Sequence, residues 1–172
     1  AVAKKDFWIA NEQRAQSNNS LVFNTKPLKV ELEKIFGLMV ASGGSEPGFI
    51  NGQAATKRAP WFKGSNPCVE ILLGNKSFCN LTEVDLNKFH GDSAGLRRAV
   101  EIAARANYRQ TCVNLRDGIL QEAWHMNNDF LRLCGVGLTG IATRPDLQAY
   151  DYAELQRTAT SAAYAMADEL GT

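Results

Sequence analysis

A chain of 172 residues, 45% hydrophobic and 22% charged, holds enough apolar material for one respectable core, and its composition excludes a fibre or a disordered tail. With 19 Lys and Arg against 18 Asp and Glu, the net charge of +1 supplies no field for gathering nucleic acid or an anionic membrane. Ala1-Val2-Ala3-Lys4-Lys5 carries no apolar signal core and no later run reaches the roughly 18 apolar residues of a membrane span, so a soluble, cytoplasmic protein is expected.

In chain order, residues 1–14 read as a helix, and Leu21-Val22-Phe23 reads as a short strand after the polar Ser17-Asn18-Asn19-Ser20. From Pro27, a favourable first helical residue, Leu28, Leu32, Ile35, Phe36 and Met39 recur at helical spacing until Ser42-Gly43-Gly44 stops the run. Glycine and proline are frequent between 43 and 66, which predicts a long ordered loop of the kind that is usually functional. Residues 69–73 and 78–81 read as two strands of a hairpin around Gly74-Asn75-Lys76-Ser77, which sets Cys79 opposite Leu72. In that register Cys68 lies about 13 Å from Cys79 at the usual rise per residue. The α-carbons of a disulfide lie within about 7 Å, so no resting bridge between the two is expected.

Further on, Asp92 is placed to cap a helix with an apolar stripe of Leu96, Val100, Ala103 and Ala104. Residues 111–115 read as a strand containing Cys112, and residues 121–128 as a shorter helix. The run 133–141, with Gly135, Gly137 and Gly140, predicts a strand packed closely against another backbone. Asp151 and Glu154 form a capping-box pattern opening a last helix that runs to about Leu170. With no repeat, low-complexity tract or linker, residues 1–172 are expected to belong to a single α/β domain.

The chemistry concentrates in Ser65-Asn66-Pro67-Cys68-Val69-Glu70. If this stretch is extended, alternation puts Asn66, Cys68 and Glu70 on one face, with Pro67 and Val69 on the other. An amide, a sulfur able to act as nucleophile or radical, and a carboxylate able to accept a proton then share one side. The same alternation also arises on half-buried strands with no catalytic role. The four cysteines at 68, 79, 112 and 134 lack the spacing of zinc sites and the density of a disulfide framework, so reduced thiols and no metal site are expected.

Other conspicuous residues have ordinary readings. His90 and His125 read as surface or helix-end histidines, and Trp8, Trp61 and Trp124 as packing residues. The 135–140 glycines lack both a Walker lysine and a dinucleotide-fingerprint spacing.

The motifs Arg14-Ala15-Gln16-Ser17-Asn18-Asn19-Ser20, Glu46-Pro47-Gly48-Phe49-Ile50-Asn51, Asn66-Pro67-Cys68-Val69-Glu70 and Phe78-Cys79-Asn80-Leu81 occur in that order. Together with Arg132-Leu133-Cys134-Gly135-Val136-Gly137-Leu138-Thr139-Gly140-Ile141, they resemble adenosylcobalamin-dependent ribonucleotide reductases over nearly the whole chain. The likeness is to the monomeric class II enzymes that reduce ribonucleoside triphosphates, and the step from Cys68 to Cys79 is its most specific mark.

This resemblance implies a ten-stranded α/β barrel surrounding a finger loop with the radical cysteine at its tip. It implies that Cys68 becomes a thiyl radical through adenosylcobalamin, that Glu70 takes the 3′-hydroxyl proton, and that Asn66 hydrogen-bonds the sugar. Cys79 matches one member of the redox pair, whose partner lies on an earlier strand, and Ser17 is placed near the substrate. A deoxynucleotide effector and thioredoxin or a similar dithiol are the partners implied. Cys112 and Cys134 match no family cysteine and read as small buried hydrophobes.

Against family length, a chain that starts without Met and stops at Gly171-Thr172 reads as a central fragment, expected to be inactive alone. Alternatives are the large subunit of a class I, di-metal, diphosphate-reducing enzyme, which shares the barrel and its finger, and a noncatalytic α/β interaction domain. A thiol oxidoreductase or hydrolase built on Cys68 and Glu70 would need a nearby base to form thiolate, and no histidine is suitably spaced.

Overall fold

The computed structural model describes residue 13, residues 17–116 and residues 118–172. The helix expected over 1–14 lies outside these residues, Gln13 excepted. The chain forms two compact units, residues 1–75 and 76–172, and each is described by itself.

The first unit opens with β1 (Ser20–Phe23), helix α1 (Lys29–Ser42) and β2 (Gly48–Asn51). Strands β1 and β2 pair in parallel, with Ser20 opposite Gly48 and Phe23 opposite Asn51, so α1 is the crossover that parallel pairing requires. Helix α1 ends as the sequence indicates: Gly43 takes a left-handed conformation at φ 66° and returns its N–H to the Val40 carbonyl. Phe49 holds the sheet to the helix, its ring centroid 5.5 Å from Phe36 and 6.2 Å from Phe23.

The loop expected over 43–66 is instead structured. After β2, Asn51 accepts from the Ala54 N–H and starts α2 (Gly52–Arg58), and Gly64–Ser65 forms β3. Two of the glycines that suggested a loop serve close packing. A Cβ on Gly48 would stand 2.9 Å from Ser20 Oγ, and one on Gly52 would stand 2.8 Å from Val22 Cγ1. The expected pairing of 69–73 with 78–81 is also overturned. Strand β4 (Leu72–Leu73) pairs antiparallel with β3, while residues 77–80 are outside any strand and β5 (Leu81–Asp85) pairs elsewhere. Cys79 therefore does not face Leu72.

The second unit joins β5 to β6 (Gly135–Thr139) in parallel, Leu81 opposite Gly135 and Asp85 opposite Thr139. The strand expected over 133–141 pairs with β5, but what a Cβ on Gly135 or Gly137 would crowd is the side chain of Leu81 or Glu83, the nearest backbone atom to Gly135 being the Asn80 carbonyl at 3.5 Å. Between the strands run α3 (Ser93–Thr111) and α4 (Glu122–Leu131), and α5 (Ala149–Leu170) follows. Asp92 caps α3 by accepting from the Gly95 N–H at 2.8 Å. The predicted stripe of α3 faces inward, where Leu96 and Val100 join Val84, Leu86 and Leu155 in the core, with Ala99 and Ala103 partly buried beside them. A second cluster joins Tyr108 to Met166 and Ala167, continuing the α3–α5 contact.

Three further expectations change here. Thr111 is the last residue of α3 and Cys112 its C-cap, so 111–115 is a helix end and not a strand. The last helix starts earlier than Asp151: the Gln148 N–H donates to the Asp151 carboxylate at 2.7 Å, while Glu154 pairs with Arg97 of α3. His125 is buried inside α4, its Nδ1 accepting from the Leu115 N–H and its Nε2 donating to Asp129 at 3.0 Å. Trp124 packs on Phe78 with ring centroids 5.1 Å apart, as a packing residue should.

Arg144 ties the segment after β6 to the core. Its guanidinium is buried and grips Asp146 through two bonds of 2.8 and 2.7 Å, while Nη1 donates to the Leu86 carbonyl. The Arg144 hydrogen bonds hold the Asp146 carboxyl down at about 2, below its ordinary 3.8. Among the described residues, no helix is long and apolar enough to cross a membrane and no group of three or more potential ligands could hold a metal ion.

Candidate functional site

Residues 66–71 form the six-residue connection between β3 and β4, where Ser65 pairs with Leu72. Lys63 extends the ladder by donating its N–H to the Leu73 carbonyl at 2.8 Å. Cys68 lies near the middle of this connection, exposed and reduced. A short hairpin thus presents the thiol.

The segment is not extended, contrary to the alternation expected from sequence. Val69 donates its N–H to the Asn66 carbonyl at 3.1 Å and sits at φ 70°, so the chain turns back on itself. Left-handed backbone at a β-branched residue is uncommon and costs on the order of 1–3 kcal/mol. Compensation comes from Asn66, which is 3% exposed. Its Oδ1 accepts from the Ile71 N–H at 3.0 Å, and its Nδ2 donates to the Glu70 carboxylate. Asn66 and Glu70 are therefore brought together by a turn and not by strand alternation.

Ser17 is exposed, and its carbonyl accepts from the Asn19 side chain at 3.0 Å. The contact between its segment and the hairpin is made by Asn18, whose Nδ2 donates to the Pro67 carbonyl at 3.3 Å. Asn19 is held in turn by Glu46, which accepts from its backbone N–H at 2.6 Å. Sequence reasoning singled out Ser17 and missed Asn18 and Glu46. The signal was present in the motifs containing them, but nothing in their spacing distinguishes a brace from a polar turn.

Cys79 belongs to the second unit, exposed and two residues before β5. Its neighbour Asn80 is pinned on both sides: Nδ2 donates to the Asn107 carbonyl at 2.9 Å, and its own carbonyl accepts from the Gly135 N–H at 3.1 Å. Asn107, fully buried in α3, accepts from that same Gly135 N–H through Oδ1 at 3.0 Å. Cys112 and Cys134 are both exposed, which corrects their reading as buried hydrophobes.

Chemically, the first unit offers an accessible sulfur on a braced turn, with a carboxylate acceptor and an amide donor in contact beside it. A thiol so presented can give up a hydrogen atom or act as a nucleophile, and the carboxylate can receive a proton. The second unit offers a separate thiol at a strand entrance.

Residues 32–167 match a family model described as ribonucleotide reductase, barrel domain. The adenosylcobalamin-dependent ribonucleoside-triphosphate reductase of Lacticaseibacillus paracasei is 31% identical over 152 residues, a match covering 80% of this chain and 19% of that protein. No solved structure matches the chain significantly.

Proposed function

The chain belongs to the ribonucleotide reductase barrel-domain family, and we propose that it is the central catalytic part of a reductase that converts ribonucleoside triphosphates to deoxyribonucleoside triphosphates. Because the chain spans 19% of the relative's length, that activity is proposed for the full-length protein. Both units then belong to one ten-stranded barrel, with the β3–β4 hairpin as its finger loop. The observation that carries this reading is the exposed Cys68 on a turn closed by Asn66 and Glu70.

In the proposed reaction Cys68, as a thiyl radical, removes the 3′ hydrogen of the ribose and becomes a thiol. Glu70 takes the proton of the 3′ hydroxyl, and Asn66 orients the sugar by hydrogen bonding. With a radical at C3′, loss of the 2′ hydroxyl as water becomes feasible. Cys79 and a second thiol supply the two reducing equivalents and end as a disulfide, which thioredoxin or a similar dithiol reduces. Ser17 lies on the substrate side, in a segment that Asn18 ties to the loop.

Adenosylcobalamin, when bound, supplies the carbon-centred radical that takes the hydrogen atom from a thiol. The donor chemistry of the hairpin fits it, since the thiol concerned is accessible and in no disulfide. Deoxynucleotide effectors act elsewhere on the full-length enzyme in this reading.

The test places Cys68→Ser, Glu70→Ala and Cys79→Ser separately in the full-length protein and measures reduction of ribonucleoside triphosphates with adenosylcobalamin and a dithiol. Each variant is expected to lose turnover. Full turnover in all three would remove the radical assignment, and activity with ribonucleoside diphosphates and a di-metal radical source instead would move the protein to class I.

A further inference from the structure

The second unit contains another set of reactive groups, which the proposed reaction leaves unused. Cys112 is the C-cap of α3 and Cys134 lies one residue before β6. Both are exposed and in no disulfide. One residue contacts both sulfurs. Arg132 donates from Nη1 to Cys112 Sγ at 3.4 Å and to the Thr111 carbonyl at 3.2 Å, while its own carbonyl accepts from the Cys134 thiol at 3.4 Å.

Arg132 is itself held in place. It ends α4 in a left-handed conformation at φ 37°, and Nη2 reaches Asp129 at 3.3 Å. Asp129 also accepts from the buried His125, and Asn128 donates to the same Thr111 carbonyl at 2.6 Å. The Arg132 guanidinium thus lies against the Cys112 sulfur, whose thiol also donates to the Tyr108 carbonyl at 3.6 Å. Although Cys134 is exposed at the surface, the protein on its cavity side partly desolvates the thiol and pushes it up to about 11; Cys112 adds to the rise and Arg132 opposes it. Cys134 and Arg132 also line a cavity of about 670 Å³ bounded by α3, α5 and β6, while Cys112 lies outside that lining and is open to solvent.

We propose that Cys112 and Cys134 form an oxidisable dithiol that reacts with small hydroperoxides, Cys112 attacking first and Cys134 resolving, with Arg132 as the positioning residue. In the first step the Cys112 sulfur attacks the peroxide, an S–O bond forms, the O–O bond breaks, and the thiol proton passes through solvent to the leaving oxygen, which departs as water or an alcohol. In the second, Cys134 sulfur attacks the sulfenic sulfur, the S–S bond forms, and the hydroxyl leaves as water with the proton from Cys134. Two thiols are oxidised by two electrons and one hydroperoxide is reduced.

The test uses the full-length protein carrying Cys68→Ser and Cys79→Ser, treated with stoichiometric hydrogen peroxide, alkylated and mapped by peptide mass spectrometry. A peptide pair joined through Cys112 and Cys134, and released by dithiothreitol, is expected. Cys134→Ser should leave Cys112 as a sulfenic acid trapped by dimedone, and Cys112→Ser should leave Cys134 fully alkylatable. Arg132→Gln should slow the reaction on the order of tenfold, and Arg132→Lys should restore part of the rate, since a retained positive charge still faces the negative charge that develops as the sulfur attacks. The proposal is overturned if both cysteines stay alkylatable, if they oxidise separately or pair with other cysteines, or if Arg132→Gln reacts at the unaltered rate.

Discussion

Asn66 donates its side-chain N–H to the Glu70 carboxylate across the loop that carries Cys68, and the same buried amide accepts from the Ile71 backbone. A single side chain thus closes the turn and sets the carboxylate. Removing it should be felt in stability as well as in turnover. Asn66→Ala in the full-length protein is expected to cost about 1–3 kcal/mol in urea denaturation, because the Ile71 N–H loses its acceptor in a part-buried setting. An unchanged unfolding midpoint would mean that the turn is held by other contacts.

Cys68→Ser should behave differently. The side chain is exposed, so the folded state should change by no more than about 0.5 kcal/mol. Ribonucleotide reduction should nevertheless fall to background, since a hydroxyl hydrogen is far harder to abstract than a thiol hydrogen. Loss of activity accompanied by a lowered thermal midpoint would point to a structural role instead.

Acid stability should depend on Asp146. Its carboxyl titrates at about 2 when folded, below an ordinary 3.8, so the pair with Arg144 contributes fully above 3.8. That contribution drains away as the pH falls from 3.8 toward 2, because the unfolded chain takes up the proton first. Asp146→Asn should therefore lower the midpoint at neutral pH and flatten its decline across this window. A variant that loses stability in parallel with the parent at every pH would exclude the linkage.

Gly52→Ala probes the close packing of the first unit. A methyl there would stand 2.3 Å from Asn24 Oδ1, 2.8 Å from Val22 Cγ1 and 3.2 Å from the Phe23 carbonyl. Val22 is β-branched and paired in β1, so it cannot simply swing away. A loss of about 1–3 kcal/mol is expected from overpacking. Wild-type stability by thermal or urea denaturation would show that β1 and α2 have slack.

What could be read from the sequence followed local rules. The stop at Gly43, the Asp92 cap and the Leu96–Val100 stripe are encoded within a turn or two of chain, and all three stand in the structure. Pairings between distant segments were harder. The run 69–73 looks like a strand by composition, yet Val69 takes a left-handed conformation because Asn66 and Ile71 close a loop around it. Nothing in a β-branched residue announces that. The glycines at 48 and 52 carried the same ambiguity, since a residue lacking Cβ suits a loop and a tight crossing equally well. At the candidate site, the residue types of Asn66 and Glu70 marked them, but their contact arises from a turn that alternation could not foresee.

Asn107 gives the second unit an unusual mechanical property. Through Oδ1 it holds Gly135, and through its carbonyl it holds Asn80, so the two strand entrances are gauged from one point on α3. A roll of that helix about its axis would therefore pull on both entrances through the side chain and the carbonyl of Asn107. Any substitution that rolls α3 should displace the segments carrying Cys79 and Cys134 in step, even if it lies a full helical length away.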